Sequence, residues 1–211
     1  MHSISEQFHE LYYESRVWRN TFWLGVETLK CPLDLWIYQE LIHEVRPRYI
    51  IETGTAAGGS TLFLASICDL LGTGEIITVD VEERPARPKH ARIEYLKGSS
   101  VADETVRSIK ERVAGAEGGG VPVLAILDSD HSRQHVAREL RIYGAMVTKG
   151  SYLIVEGTNL NGHPVLQNHG LGPMEAVESF LRETPQFMPD RDREKFFLTF
   201  NPKGYLRKIK E

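Results

Sequence analysis

The sequence predicts an α/β fold: a doubly wound, mostly parallel sheet of seven strands, with an antiparallel hairpin strand at its C-terminal end. Three observations predict it. Five apolar, β-branched runs recur along the chain, and near-continuous Ile/Val/Leu runs suit strands buried on both faces of a parallel sheet. Segments of helical period separate them, and strands alternating with helices build right-handed βαβ units. The last two strand-like runs flank Pro202–Lys203–Gly204, a tight turn that pairs its neighbours antiparallel.

In chain order, residues 1–31 form an N-terminal extension crowded with Tyr12, Tyr13, Trp18, Phe22 and Trp23, assigned to a substrate lid or an oligomer contact. The main domain, 32–211, opens with an amphipathic helix over 32–45, where Leu35, Tyr38, Leu41, Ile42 and Val45 share a face and Pro47 ends the run. Strand 48–53 (RYIIET) leads into helix 60–71, which carries Leu62, Phe63, Ile67, Leu70 and Leu71 and stops at Gly72–Thr73–Gly74. Strands 75–81 and 92–96 come next, then helix 101–113 on Val106, Ile109 and Val113, closed by a Gly-rich turn. Strand 122–127, helix 135–147 (Val136, Leu140, Tyr143, Val147) and strand 151–155 complete the alternation. Residues 157–172 read as a long loop holding Asn159, Asn161, His163, Asn168 and His169, and long loops inside compact domains tend to be functional. The closing hairpin is expected from 196–201 and 205–209.

Composition narrows the function. The chain has 211 residues, 41% hydrophobic and 26% charged, the profile of one globular domain. Its net charge is −4 and its basic residues are dispersed, which argues against nucleic acid as a partner. Residues 203–210 are locally basic, but they border a strand. The N-terminus lacks the apolar core of a signal peptide, and no run approaches the ~20 apolar residues of a membrane helix. Cys31 and Cys68 have no zinc spacing and read as reduced thiols of a cytoplasmic protein.

The strongest local motif is IIETGTAAGGS, residues 50–60. A buried strand ends in Glu52, and a loop with Gly54, Gly58 and Gly59 opens a helix at Ser60 or Thr61. Glycines let backbone approach a ligand, and a helix N-terminus offers free N–H groups to a carboxylate or phosphate. The spacing E-x-G-x-x-x-G is neither a dinucleotide fingerprint nor a Walker loop. It resembles the cofactor loop of S-adenosylmethionine methyltransferases, which assigns Glu52, Thr53, Gly54, Thr55, Gly58 and Ser60 to the cofactor. Asp80 ends the second strand 26 residues beyond Gly54, where an acid accepts from ribose hydroxyls. Gly98–Ser99–Ser100 follows the third strand at the usual place of adenine contact, and Ser99 or Ser100 can equally be a helix cap.

The fourth and fifth strands deliver Asp128, Asp130, His131 and Glu156 to the same crevice. Three carboxylates there repel unless a metal, a proton or a cationic substrate lies between them. Oxygen donors select hard ions, so Asp128, Asp130 and Glu156 are candidate ligands for Mg²⁺, or for Mn²⁺ or Ca²⁺. The alternative is that Asp128 touches the cofactor while Asp130 only caps a helix. His131, whose imidazole titrates near neutrality, is the candidate base beside Asp130.

These motifs in order, with Trp23–Leu24–Gly25, CPLDLWIYQE at 31–40, LDSDH and VEGT, resemble the cephalosporin hydroxylase family, which groups with rhamnosyl O-methyltransferases. The resemblance runs from about Trp18 to the C-terminal hairpin. It implies a Rossmann-like class I methyltransferase fold, S-adenosylmethionine as cofactor and, in several members, a Mg²⁺ site. It implies that Glu52, Gly54 and Ser60 line the methionine end and Asp80 the ribose, with Asp128, Asp130 and Glu156 at the metal. Gly157 departs from the pattern, because such families commonly place an acid or amide directly after the strand-five acid.

The expected activity is O-methylation of a hydroxyl on a small natural product such as a sugar, polyketide or antibiotic scaffold, by a homo-oligomer. The rivals are a cofactor-binding enzyme that does not methylate (a cyclase, decarboxylase or hydroxylation-pathway component) and a silent partner subunit.

Overall fold

The computed structural model describes residues 3–114 and 121–211. The Gly-rich turn expected after helix 101–113 falls at 115–120 and lies outside the described residues. Five parallel strands appear where the apolar runs place them: β3 (Tyr49–Thr53), β4 (Glu75–Asp80), β5 (Ile93–Lys97), β6 (Val123–Leu127) and β7 (Tyr152–Val155). The helices α2 (Pro32–Val45), α3 (Gly59–Leu71), α4 (Asp103–Ala114) and α5 (Arg133–Gly144) fall between or before them. With β8 (Phe187–Pro189) and β9 (Tyr205–Lys208), the seven-stranded order is β5-β4-β3-β6-β7-β9-β8, and β9 is antiparallel to both neighbours. This is the expected doubly wound class I methyltransferase architecture.

The pleat explains the two cores. Ile51, Ala125, Leu153 and Val155 project to one face, against Ile109 of α4, Leu140 of α5 and Val177 of α6 (Pro173–Glu183). Ile50, Ile76, Leu124 and Ile154 project to the other, against Ile37 and Leu41 of α2 and Leu64 of α3. A sheet covered on both faces reads as continuous apolar runs, which is why these strands were legible.

The hairpin is corrected in one partner. Residues 196–201 are not a strand; β9 pairs with β8 instead. Phe197 takes a left-handed φ of 63°, and the Phe200 N–H and Thr199 hydroxyl donate to the Asp34 carboxylate at the start of α2. With those groups spent on a helix start, no ladder forms.

Elements the sequence reading did not place are α1 (Ile4–Glu14), the short hairpin β1 (Phe22–Trp23)–β2 (Val26–Glu27), α6 and β8. A Ser3–Glu6 capping box starts α1. The N-terminal aromatics are engaged within the chain: Tyr12, Tyr13 and Trp18 surround Phe200 at centroid separations of 6.1, 5.4 and 5.6 Å. Among the described residues, no helix is long and apolar enough to cross a membrane.

Register positions the site. Thr53 lies opposite both Val79 and Leu127, and Leu127 lies opposite Val155. The chain therefore leaves four adjacent strands at one edge, setting Gly54, Asp80, Asp128 and Glu156 around a single crevice.

Candidate active site

A cavity of about 520 Å³ opens at that edge. Its wall includes Gly54, Thr55, Ser60, Asp80, Ser99, Ser100, Asp128 and Asp130, which covers most of the residues expected there. Gly54 has φ +83°, and a Cβ on it would collide with the Asp128 carbonyl of the next strand. Neighbouring backbone, before any ligand, thus demands glycine at the loop's first bend. Asp80 Oδ2 accepts from the Thr55 and Ala56 N–H groups at 3.0 and 2.9 Å and from Arg87 at 3.0 Å, while Oδ1 accepts from Glu82 N–H. Burial works against the Asp80 charge, but those N–H groups and the Arg87 guanidinium hold its carboxyl below the usual range. At the opposite wall, His135 Nε2 lies 3.0 Å from Ser100 Oγ and 3.1 Å from Ser129 Oγ, and Ser129 donates to the buried Glu139.

Three residues of the 50–60 motif, Glu52, Thr53 and Gly58, are not in the wall. Glu52 is fully buried beneath the loop, its carboxylate accepting from the Ser60, Thr61 and Thr78 hydroxyls. Its task is to hold the start of α3 against β3 and β4. Thr53 is also fully buried, its carbonyl accepting from Asp128 N–H. Gly58 turns with φ +86° toward Pro88 and Tyr95. Glu52 and Thr53 are buried on opposite faces of a strand covered on both sides, a point that motif spacing alone does not show.

The acid cluster is organised by a residue the sequence reading missed. The Lys30 ammonium, with its side chain 4% exposed, donates to Asp128 Oδ2 and, at 2.6 Å, to Glu156 Oε1. Tyr38 of α2 donates to the same Glu156 oxygen at 2.8 Å and accepts from Asn201 Nδ2 at 3.1 Å. His131 Nε2 lies 3.1 Å from Asp128 Oδ1. Burial opposes the Lys30 charge, but Asp128, Glu156 and Glu52 outweigh it and keep lysine above its ordinary range. Burial likewise opposes Asp128, which Lys30 and His131 hold below its range. Glu156, the second acid on one ammonium, is pushed up to about 7 by burial and the Asp128 charge.

Asp130 does not join this cluster. It lines the cavity, and its carboxylate accepts from Ser132 N–H at 2.7 Å in the turn before α5; Ser132 is the N-cap of that helix, so Asp130 does not cap it. Asp128 and Glu156 do meet, but on Lys30. In the 157–172 loop, His163 and Asn161 bond Glu175 of α6 at 3.2 and 2.8 Å, so they anchor the loop. His169 is exposed. A signal for Lys30 existed: converging acids require a cation, and a lysine stands two residues before the Pro32 that starts α2.

A family model described as rhamnosyl O-methyltransferase/CmcI matches residues 15–209. The chain belongs to that family. A rhamnosyl O-methyltransferase of Mycobacterium leprae is 39% identical over 212 residues, covering 97% of this chain and 90% of that protein. One from Mycobacterium tuberculosis is 36% identical over 213 residues, covering 97% and 84%. Of solved structures, apo CmcI superposes with TM-score 0.69 at 19% identity, covering 92% of this chain and 78% of that one. A Mg-SAM form of CmcI gives 0.65 at 18%, covering 91% and 78%. As a rhamnosyl O-methyltransferase/CmcI member, the chain is an S-adenosylmethionine-dependent O-methyltransferase, the activity its motif order implies.

Proposed function

We propose that this methyltransferase modifies a hydroxyl of a sugar-bearing small molecule, with S-adenosylmethionine lying across the cavity and its reacting end at the Lys30–Asp128–His131 corner. The single observation that carries this is the continuity of the cavity from Asp80 and Ser99 to Lys30 and Asp128. The volume suits a small-molecule site. The residues also suit this cofactor. Asp80 Oδ1 holds one N–H donor and retains capacity for a ribose hydroxyl, and the first turn of α3 presents N–H groups to a carboxylate. Ser99, Ser100 and His135 offer polar atoms at the base end. When bound, S-adenosylmethionine supplies a methyl group activated as a sulfonium.

The chain's own residues prepare the acceptor. Asp128 orients the His131 ring through Nε2, leaving Nδ1 free to take the hydroxyl proton. The rhamnosyl relatives support a sugar hydroxyl as acceptor.

A Mg²⁺ site draws support from the CmcI Mg-SAM structure, and Asp128 and Glu156 are donors of the right chemistry. As arranged here, the side chains do not fit a divalent ion. Lys30 holds the point between the two acids, and among the described residues no three His, Cys, Asp or Glu side chains converge for a metal.

The test is incubation with S-adenosylmethionine and rhamnosyl glycosides, read by mass spectrometry. A product heavier by one methylene unit, with S-adenosylhomocysteine released, is expected. Cofactor consumption with no methylated glycoside refutes the sugar assignment, and calorimetry showing no affinity for S-adenosylhomocysteine refutes the placement of the cofactor.

A further inference from the structure

The cluster at Lys30 is unlike a metal site that merely lacks its ion. An ammonium has three N–H donors, and its two carboxylate contacts leave one for the cavity that Lys30 itself lines. The two acids are oriented from behind: Tyr38, whose hydroxyl accepts from Asn201, donates to Glu156, and His131 meets Asp128. Position 157 is closed to a further ligand. Gly157 has φ +71°, and a Cβ there would lie 2.9 Å from His131 Nε2, so the imidazole occupies the room a carboxylate would need.

We propose that the Lys30 ammonium performs in this chain the work a divalent ion would do between Asp128 and Glu156, donating to the acceptor oxygen, so that methyl transfer needs no metal. The acceptor hydroxyl accepts the remaining Lys30 N–H, which fixes its lone pair toward the methyl group and stabilises negative charge as it develops on oxygen. The O–H bond breaks to His131, the new O–C bond forms as the S–C bond breaks, and the sulfonium leaves as a neutral thioether. Lysine stays protonated throughout and acts as fixed charge. This rests on the proposed function, but its test does not depend on the acceptor being right.

The experiment uses the whole purified chain after dialysis against EDTA. Mn²⁺ is titrated in the presence of saturating S-adenosylhomocysteine and followed by the electron paramagnetic resonance of the free ion. No binding below millimolar Mn²⁺ is expected, and one tight site per chain overturns the proposal. With any acceptor that is methylated, the dialysed enzyme should keep its rate within twofold of the Mg²⁺-supplemented enzyme; loss on chelation with recovery on Mg²⁺ also overturns it. Lys30→Gln should lower kcat at least a hundredfold while S-adenosylhomocysteine affinity changes less than threefold, and unchanged kcat in a folded Lys30→Gln protein is a third refutation. If that variant does not fold, the Mn²⁺ titration of the wild type still decides. Failure to find any methylated acceptor, with Mn²⁺ also unbound, counts against the function and not against the metal-free site.

Discussion

Replacing Glu52 by Gln separates two roles that a motif cannot. If Glu52 touched the cofactor, the change would weaken binding; in the structure it instead holds three hydroxyls, from Ser60, Thr61 and Thr78, in a fully buried position. Bonds to a charged acceptor contribute roughly 1.5–3 kcal/mol net and neutral ones about 0.5–1.5 kcal/mol, so three such bonds lose roughly 3 kcal/mol when the charge goes. The amide relieves part of the desolvation of the charge and can turn its NH₂ toward Ser60, whose hydroxyl rotates to accept. The expected net cost is about 2 kcal/mol. Urea denaturation should show a lower midpoint at an unchanged m-value. Calorimetry with S-adenosylhomocysteine should show affinity within threefold of wild type. A loss of affinity beyond tenfold at unchanged stability would refute the reasoning, because it would put the carboxylate in the binding wall.

Asp80→Ala removes a ribose acceptor and the anchor of Thr55 and Ala56, and should weaken S-adenosylhomocysteine roughly ten- to a hundredfold by calorimetry. His131→Ala should lower kcat about a hundredfold or more with cofactor affinity changed less than threefold, since its ring meets Asp128 at the reacting end and not the residues proposed for the ribose and the base; equal kcat in steady-state assays removes it as the base. His9, buried and accepting from Asn159 Nδ2 at 3.0 Å, has its pKa lowered by burial from 6.5 to about 4. The unfolded chain takes up that proton first on acidification, so the stability is fully present above about pH 6.5 and is lost as pH falls toward 4, by about 3 kcal/mol. His9→Gln should flatten that part of the stability–pH curve, and an unchanged curve would show that His9 does not carry it.

The sheet was legible because burial on both faces leaves a direct composition signal at Ile50, Ile51, Ile76, Leu124 and Ile154. The hairpin partner was not. Residues 196–201 have the apolar content of a strand, but the Phe200 N–H and the Thr199 hydroxyl are claimed by Asp34, which is distant in sequence and adjacent in space. β8 is only three residues long, too short to carry a period. The cavity wall draws on strand ends and the loops that follow them, Gly54, Asp80, Ser99 and Asp128 among them, which is where a doubly wound topology leads one to look. Glu52 and Thr53 are still inside β3, where cover on both faces of the sheet buries both, and motif spacing carries no sign of it.

Lys30 shows where spacing rules reach their limit. The acids at 128 and 156 come from neighbouring parallel strands, so topology alone predicts that they meet, and electrostatics then requires a partner for them. That partner comes from outside the βαβ repeat, in the chain between β2 and α2, and no period or motif ties it to the strands. Leu29 bends the backbone there with φ 53°, and Lys30 then lies almost wholly buried, in a state that lysine rarely tolerates unpaired. Burying an ammonium is costly, and the Asp128 and Glu156 carboxylates, with Glu52 behind them, offset it. Asp128 and Glu156 are thus as necessary to Lys30 as Lys30 is to them, and Asp128→Asn should destabilise the fold as well as slow the reaction. A metal-built site would behave in the opposite way, since neutralising one ligand of an unfilled acid cluster relieves repulsion and stabilises the protein.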